Sequence, residues 1–245
     1  MLTTFDDGRL FGAATGSAAP WVLALHGWRR THRDFDGVLA GLDAVALDLP
    51  GFGASPPPPE GWGAAEYAKA VTAVLPAMAE RVVVLGHSFG GRVAVHLAAA
   101  EPNRVAALVL TGVPLLRPPG TGTRTKPALA FRIGRALHAR RLLSEDRMEQ
   151  LRQKYGSEDY RLATGVMRAV HVRAVNETYE EQLRLVRGPV ELVWGDNDTA
   201  APLAVAEEAA KLLADARLTV LPGAGHLTPL TEPAALTAAL ERHKP

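Results

Sequence analysis

VVVLGHSFGGRVAVHL, residues 82–97, changes character twice in sixteen positions. Val82 to Leu85 are apolar and mostly β-branched, which reads as a strand buried on both faces. Gly86-His87-Ser88-Phe89-Gly90-Gly91 breaks the run, and Arg92 to Leu97 resume with helical character. Glycine supplies tight strand-to-helix turns everywhere, so the break alone is ordinary. A serine in the middle of it is less so. Gly-x-Ser-x-Gly between a strand and a helix holds the serine in a strained backbone conformation, and neighbours without side chains let strand and helix approach. Ser88 would stand at the helix N-terminus, where unpaired N–H groups and the helix dipole favour developing negative charge. Its hydroxyl is a poor nucleophile until a base takes the proton.

A base and an acid are available downstream. His226 follows Leu221-Pro222-Gly223-Ala224-Gly225, a strand end and glycine turn. Parallel strands all end on one side of a sheet, so His226 shares a rim with Ser88. The other seven histidines have plainer readings. His26 and His87 flank backbone turns, His96 packs in the helix after the nucleophile, His138 and His171 belong to helices further along, and His32 and His243 are expected to be exposed. VELVWGDNDTAAP, residues 190–202, ends another strand and offers Asp196 and Asp198. Asp198 is the preferred acid, and the preceding strand end, Thr111-Gly112-Val113-Pro114, has no carboxylate to compete. Asp198 would hold the His226 tautomer and stabilise the imidazolium formed when Ser88 is deprotonated.

The same alternation extends along the chain. Strand-like runs at 21–27, 42–51, 81–88, 105–112, 190–195 and 216–225 end in glycine or a turn, and an Asp7-Gly8 hairpin precedes them. Helical pattern covers 64–75, 90–100, 203–214 and 233–243. The class is α/β: a mostly parallel central sheet of about eight strands with an antiparallel N-terminal hairpin, flanked by helices. From 113 to 189 no strand pattern appears, and four helical stretches do, which places a helical insertion at 114–187 in a core made of 1–113 and 188–245. The insertion carries 15 Lys/Arg and 8 Asp/Glu, a net +7, in a chain of net charge +1. It reads either as a solvated arginine-rich surface or as a source of arginines facing a pocket that favours an anionic substrate.

Composition narrows the classes. A chain of 245 residues, 47% hydrophobic and 22% charged, buries a sizeable core. Near-neutral charge without a Lys/Arg block argues against nucleic acid. The absence of cysteine removes disulfides, thiolate metal sites and a cysteine nucleophile. No signal-like or membrane-spanning segment is legible, so a cytoplasmic protein is expected, without a membrane partner and with no reading of its oligomeric state.

His26-Gly27-Trp28, Asp48-Leu49-Pro50-Gly51-Phe52-Gly53-Ala54-Ser55, Gly86 to Gly91, Trp194-Gly195-Asp196-Asn197-Asp198 and Gly223-Ala224-Gly225-His226 together make the chain resemble the α/β-hydrolase superfamily, in its small cap-bearing branch of serine esterases and lactonases. The order Ser, Asp, His is the one this superfamily uses. The resemblance implies an oxyanion hole from the backbone N–H groups of Trp28 and Phe89, a cap formed by 114–187, and no metal or organic cofactor. It implies cleavage of a carboxylic ester or lactone of a small, largely apolar substrate through an acyl-enzyme. C–C bond hydrolases and cofactor-free perhydrolases use the same triad, although Trp28-Arg29-Arg30 departs from the glycine- and proline-rich stretch of the former. A small-molecule receptor with slow or single-turnover hydrolysis is the alternative of another class. Expected pocket residues are Trp28, Arg29, Leu115, Phe131 and Met167, with Leu116, Leu137, Met148 and Tyr179 as further apolar candidates. Arg29, Arg30 or an arginine of the insertion would fix a substrate carboxylate.

Overall fold

The strands form because their apolar residues alternate between two faces that are both covered. A computed structural model describes residues 2–16, 19–117 and 129–245. Its strands are β1 (Leu2–Phe5), β2 (Leu10–Thr15), β3 (Val22–Leu25), β4 (Ala44–Asp48), β5 (Val82–His87), β6 (Val105–Thr111), β7 (Val190–Gly195) and β8 (Ala216–Leu221). They make one sheet in the order β1-β2-β4-β3-β5-β6-β7-β8. β1 and β2 run antiparallel to each other and β2 antiparallel to β4, while β4, β3, β5, β6, β7 and β8 pair in parallel. This is the expected α/β class, hairpin included.

The helices are α1 (Ala64–Val71), α2 (Phe89–Ala100), α3 (Leu129–Ala139), α4 (Glu145–Tyr155), α5 (Glu158–Leu162), α6 (Gly165–Ala174), α7 (Glu180–Leu185), α8 (Leu203–Ala210), α9 (Thr228–Thr231) and α10 (Pro233–Glu241). Leu23, Leu25, Val84, Leu108, Leu110 and Trp194 pack on one side of the sheet with α1, α2 and α8. Val22, Ala24, Val83, Leu85, Val109 and Val193 pack on the other with Phe35, Val38 and the Leu236–Leu240 face of α10. Both faces are thus apolar, as a parallel sheet requires.

Helices α3 to α7 all lie between β6 and β7, in the stretch expected to be inserted; its residues 118–128 lie outside the described residues. Boundaries differ from the sequence reading where a residue punctuates the backbone. The helix expected over 64–75 stops at Val71 and tightens into a 3-10 turn over Thr72–Ala77, where Pro76 has no N–H to give. The stretch 160–170 is two helices, parted at Ala163-Thr164 with Gly165 at φ +51°. Among the described residues no helix is long and apolar enough to cross a membrane.

Candidate active site

β3, β5, β6, β7 and β8 run the same way, so the loops after them meet along one rim. β5 delivers Ser88 with φ +50° and ψ −114°, a conformation costly for a residue with a side chain. The turn is tight: a Cβ on Gly86 would collide with the backbone of Gly91. The Ser88 N–H donates to the Thr111 carbonyl of β6 at 3.0 Å, which fixes the elbow to the sheet.

β7 delivers Asp198. Trp194 Nε1 donates to the Ala201 carbonyl at 2.7 Å, drawing the loop back over the strand end. The Ala200 and Ala201 N–H groups both donate to Asp198 Oδ1 at 2.8 Å, and Oδ2 lies 2.8 Å from His226 Nδ1. Burial works to raise the Asp198 carboxyl, but the His226 hydrogen bond and the two amides outweigh it and hold the group below the ordinary carboxylate value. Asp196 points elsewhere: it is exposed and accepts from the Gly223 N–H.

β8 delivers His226, whose Nε2 lies 3.2 Å from Ser88 Oγ. Ser88, His226 and Asp198, named from the sequence, are therefore brought into one hydrogen-bonded line. Gly112, just after β6 and at φ +59°, presses against the middle of that line: a Cβ there would sit 3.0 Å from His226 Nδ1 and 3.1 Å from Asp198 Oδ2. His87 Nε2 donates to the His226 backbone carbonyl at 2.9 Å and its ring packs on the His226 ring at 5.0 Å. Burial, then the neighbouring His226, pushes His87 down to about 4.

The loop after β3 carries His26, Gly27 and Trp28. His26 is fully buried, donating through Nδ1 to the Gly27 carbonyl and accepting at Nε2 from the Leu49 N–H. Burial pushes it to about 4, against the opposing effect of the Gly27 carbonyl. Asp48 braces the next loop by accepting from the His32 and Ala54 N–H groups and from His32 Nδ1. His32, expected to be exposed, is turned inward by that carboxylate, and His243 likewise by Glu191. Neither the Trp28 nor the Phe89 amide N–H donates to another loop among the described residues.

A cavity of about 410 Å³ opens over Ser88 and His226. Of the five expected pocket residues only Trp28 is in its wall. Arg29 is exposed and pairs with Asp159 at 3.5 Å. Leu115 and Phe131 are buried in packing, Leu115 in the main core, and Met167 packs over Gly51. Arg92, His171, Ala174 and Val175 line the cavity instead, and the sequence reading gave none of them that place.

Residues 22–240 match the model of the alpha/beta hydrolase family. The chain is 29% identical to the pimeloyl-[acyl-carrier protein] methyl ester esterase of Aromatoleum aromaticum, over 91% of this chain and 97% of that one. It is 31% identical to the non-heme chloroperoxidase of Streptomyces lividans, over 98% and 97%. The solved esterase of Exiguobacterium antarcticum superposes with a TM-score of 0.72 at 20% identity, over 98% and 97%, a likeness of fold.

Proposed function

Because the chain belongs to the alpha/beta hydrolase family, we propose that it cleaves a carboxylic ester or lactone through Ser88, His226 and Asp198. The observation that carries this is the unbroken line from Asp198 Oδ2 to His226 Nδ1 and from His226 Nε2 to Ser88 Oγ, ending at the floor of a cavity. Ser88 attacks the carbonyl while His226 takes its proton. Asp198 keeps Nδ1 protonated and stabilises the imidazolium. The Trp28 and Phe89 amides receive the oxyanion, donors worth about 3 to 4 kcal/mol each in such sites. His226 then protonates the leaving group, and water activated by the same imidazole releases the acyl group. In this reading 114–187 is a cap that shapes the acyl and alcohol sites. The esterase relative supports the ester reading, and the chloroperoxidase relative supports a second one, acyl transfer to peroxide on the same serine.

Intact-mass measurement after treatment with a fluorophosphonate tests the nucleophile. One adduct is expected on the wild type and none on Ser88→Ala, with repeated turnover of p-nitrophenyl butyrate by the former alone. Labelling of Ser88→Ala equal to wild type refutes the reading. A burst of one equivalent and no further turnover would make the protein a receptor. Peroxide-dependent bromination of monochlorodimedone with acetate separates the perhydrolase reading.

A further inference from the structure

The cavity wall holds two cationic side chains among the described residues, Arg30 and Arg92. Arg30 is spent, with Nε and Nη2 on the two oxygens of Asp34 at 2.6 and 2.7 Å. The one carboxylate in the wall, Asp159, is engaged by Arg29. Arg92 differs from both. Among the described residues no carboxylate lies within ion-pairing distance of it. Its Nη1 donates to the Ala174 carbonyl at the end of α6 at 2.6 Å, and its guanidinium lies 5.7 Å from the centre of the Tyr179 ring. Its Nε is buried without a partner.

A strut between α2 and α6 needs one N–H, and a guanidinium has five donors. A half-buried cation without an anion is costly, and the cost is offset when an anion arrives. The position is also meaningful. Ser88 is the residue that caps α2 and Arg92 lies in its first turn; both line the cavity, and a helical side chain leans toward the N-terminus, here toward the serine. His171 and Ala174 of α6 close the same space from the opposite side.

We propose that Arg92 receives the carboxylate at the far end of the acyl group whose ester carbonyl meets Ser88, so that the substrate class is the half-ester of a dicarboxylic acid. This rests on the hydrolase reading above and names its substrate. Four positions at the start of α2 amount to a backbone rise of about 6 Å, so the spacer between ester carbonyl and carboxylate is a short one, and four methylene groups are the length tested. The +7 charge of the insertion contributes no anchor among the described residues. Arg152 and Arg168 pair with Glu149, Arg173 pairs with Glu66 and Glu177, and the remaining described arginines of that stretch are exposed outside the cavity.

The experiment compares mono-p-nitrophenyl adipate with p-nitrophenyl hexanoate, equal in chain length and different in terminal charge. Wild type should favour the adipate. In Arg92→Gln the ratio of kcat/KM values, adipate over hexanoate, should fall about 10- to 100-fold. Arg92→Lys should recover part of it, keeping the charge and losing the fork. A second measurement needs no turnover: calorimetric titration of Ser88→Ala with monomethyl adipate should show binding that the added Arg92→Gln change removes. A wild-type preference for hexanoate, an equal fall for both esters, or monomethyl adipate binding that survives Arg92→Gln overturns the assignment. Failure of the wild type to react with a fluorophosphonate would instead overturn the serine-hydrolase reading, and the calorimetric arm would still decide the role of Arg92.

Discussion

Lowering the pH from 7 to 5 should destabilise this protein by about 4 kcal/mol through His26 and His87, and burial of His96 and His171, which lowers both, adds to the loss in the same direction. His26 and His87 are buried beneath the rim that carries Ser88 and His226, and each is pushed to about 4 from an ordinary 6.5. The folded state therefore holds them neutral while the unfolded chain protonates them. Between pH 6.5 and 4 the unfolded state binds more protons, so stability falls as pH falls. Each pH unit below 6.5 costs about 1.4 kcal/mol per histidine, or roughly 2 kcal/mol each at pH 5. Against a total stability on the order of 5 to 15 kcal/mol, the sum is large. Buried Asp48, Asp198 and Glu191 do not confuse the measurement. Burial works to raise each, but their hydrogen-bonded partners hold each below its ordinary value. The stability they give is fully present above the ordinary carboxylate pKa and is lost as pH falls through the lowered values, below the window in question.

Urea unfolding followed by circular dichroism at pH 7, 6, 5.5 and 5, at fixed ionic strength, reads this directly. The midpoint should hold above pH 6.5 and decline steadily below it. His87→Gln keeps an N–H donor toward the His226 carbonyl but does not titrate, so its slope should be shallower than wild type by about 1.4 kcal/mol per pH unit, leaving the shares of His26, His96 and His171. A midpoint that stays flat from pH 7 to 5, or a slope in His87→Gln equal to wild type, would refute the reasoning.

Two further outcomes follow from the same geometry. Asp198→Asn should lower kcat on p-nitrophenyl butyrate by about 10³- to 10⁴-fold, because an amide cannot hold the His226 tautomer or balance the imidazolium; a loss under 10-fold would assign the role to another group. Gly112→Ala combines a positive φ with a Cβ against His226 and Asp198. It should cost about 1 to 2 kcal/mol in urea unfolding and reduce kcat at least ~10-fold, roughly the effect expected of a small displacement of the triad. Gly41→Ala, at φ +81° with nothing within 4 Å, is the control that should lose stability and keep kcat.

The sheet and the triad line were legible because both are written in local punctuation. A strand that ends in glycine places whatever follows it on the rim, and the pairing of β3 through β8 turns that rule into contact between residues 138 positions apart. Asp198 is preferred to Asp196 in sequence for its place four residues before Pro202, and in the structure the Ala200 and Ala201 amides of that loop fold back on it. The histidines show where such reading stops. His32 and His243 look like surface residues in sequence, yet Asp48 and Glu191, 16 and 52 positions away, draw them in. Nothing in the flanking residues encodes those partners.

The cavity was illegible for the same physical reason. An amphipathic helix in the insertion shows which residues avoid water, but packing against a neighbouring helix and lining a cavity satisfy that demand equally. Phe131 and Met167 took the first course, whereas His171, with no apolar signature, took the second. Charge misled in the same way. An arginine count locates charge along the chain, and what matters to a substrate is which cation is left without a carboxylate after folding. Arg152, Arg168 and Arg173 are neutralised by partners on their own or neighbouring helices. Arg92, in a core helix whose surroundings in sequence are almost wholly apolar, has no carboxylate in reach among the described residues. Among the described residues, the cation the pocket offers without a carboxylate partner thus comes from the scaffold, four positions after Ser88, and not from the arginine-rich helices between β6 and β7.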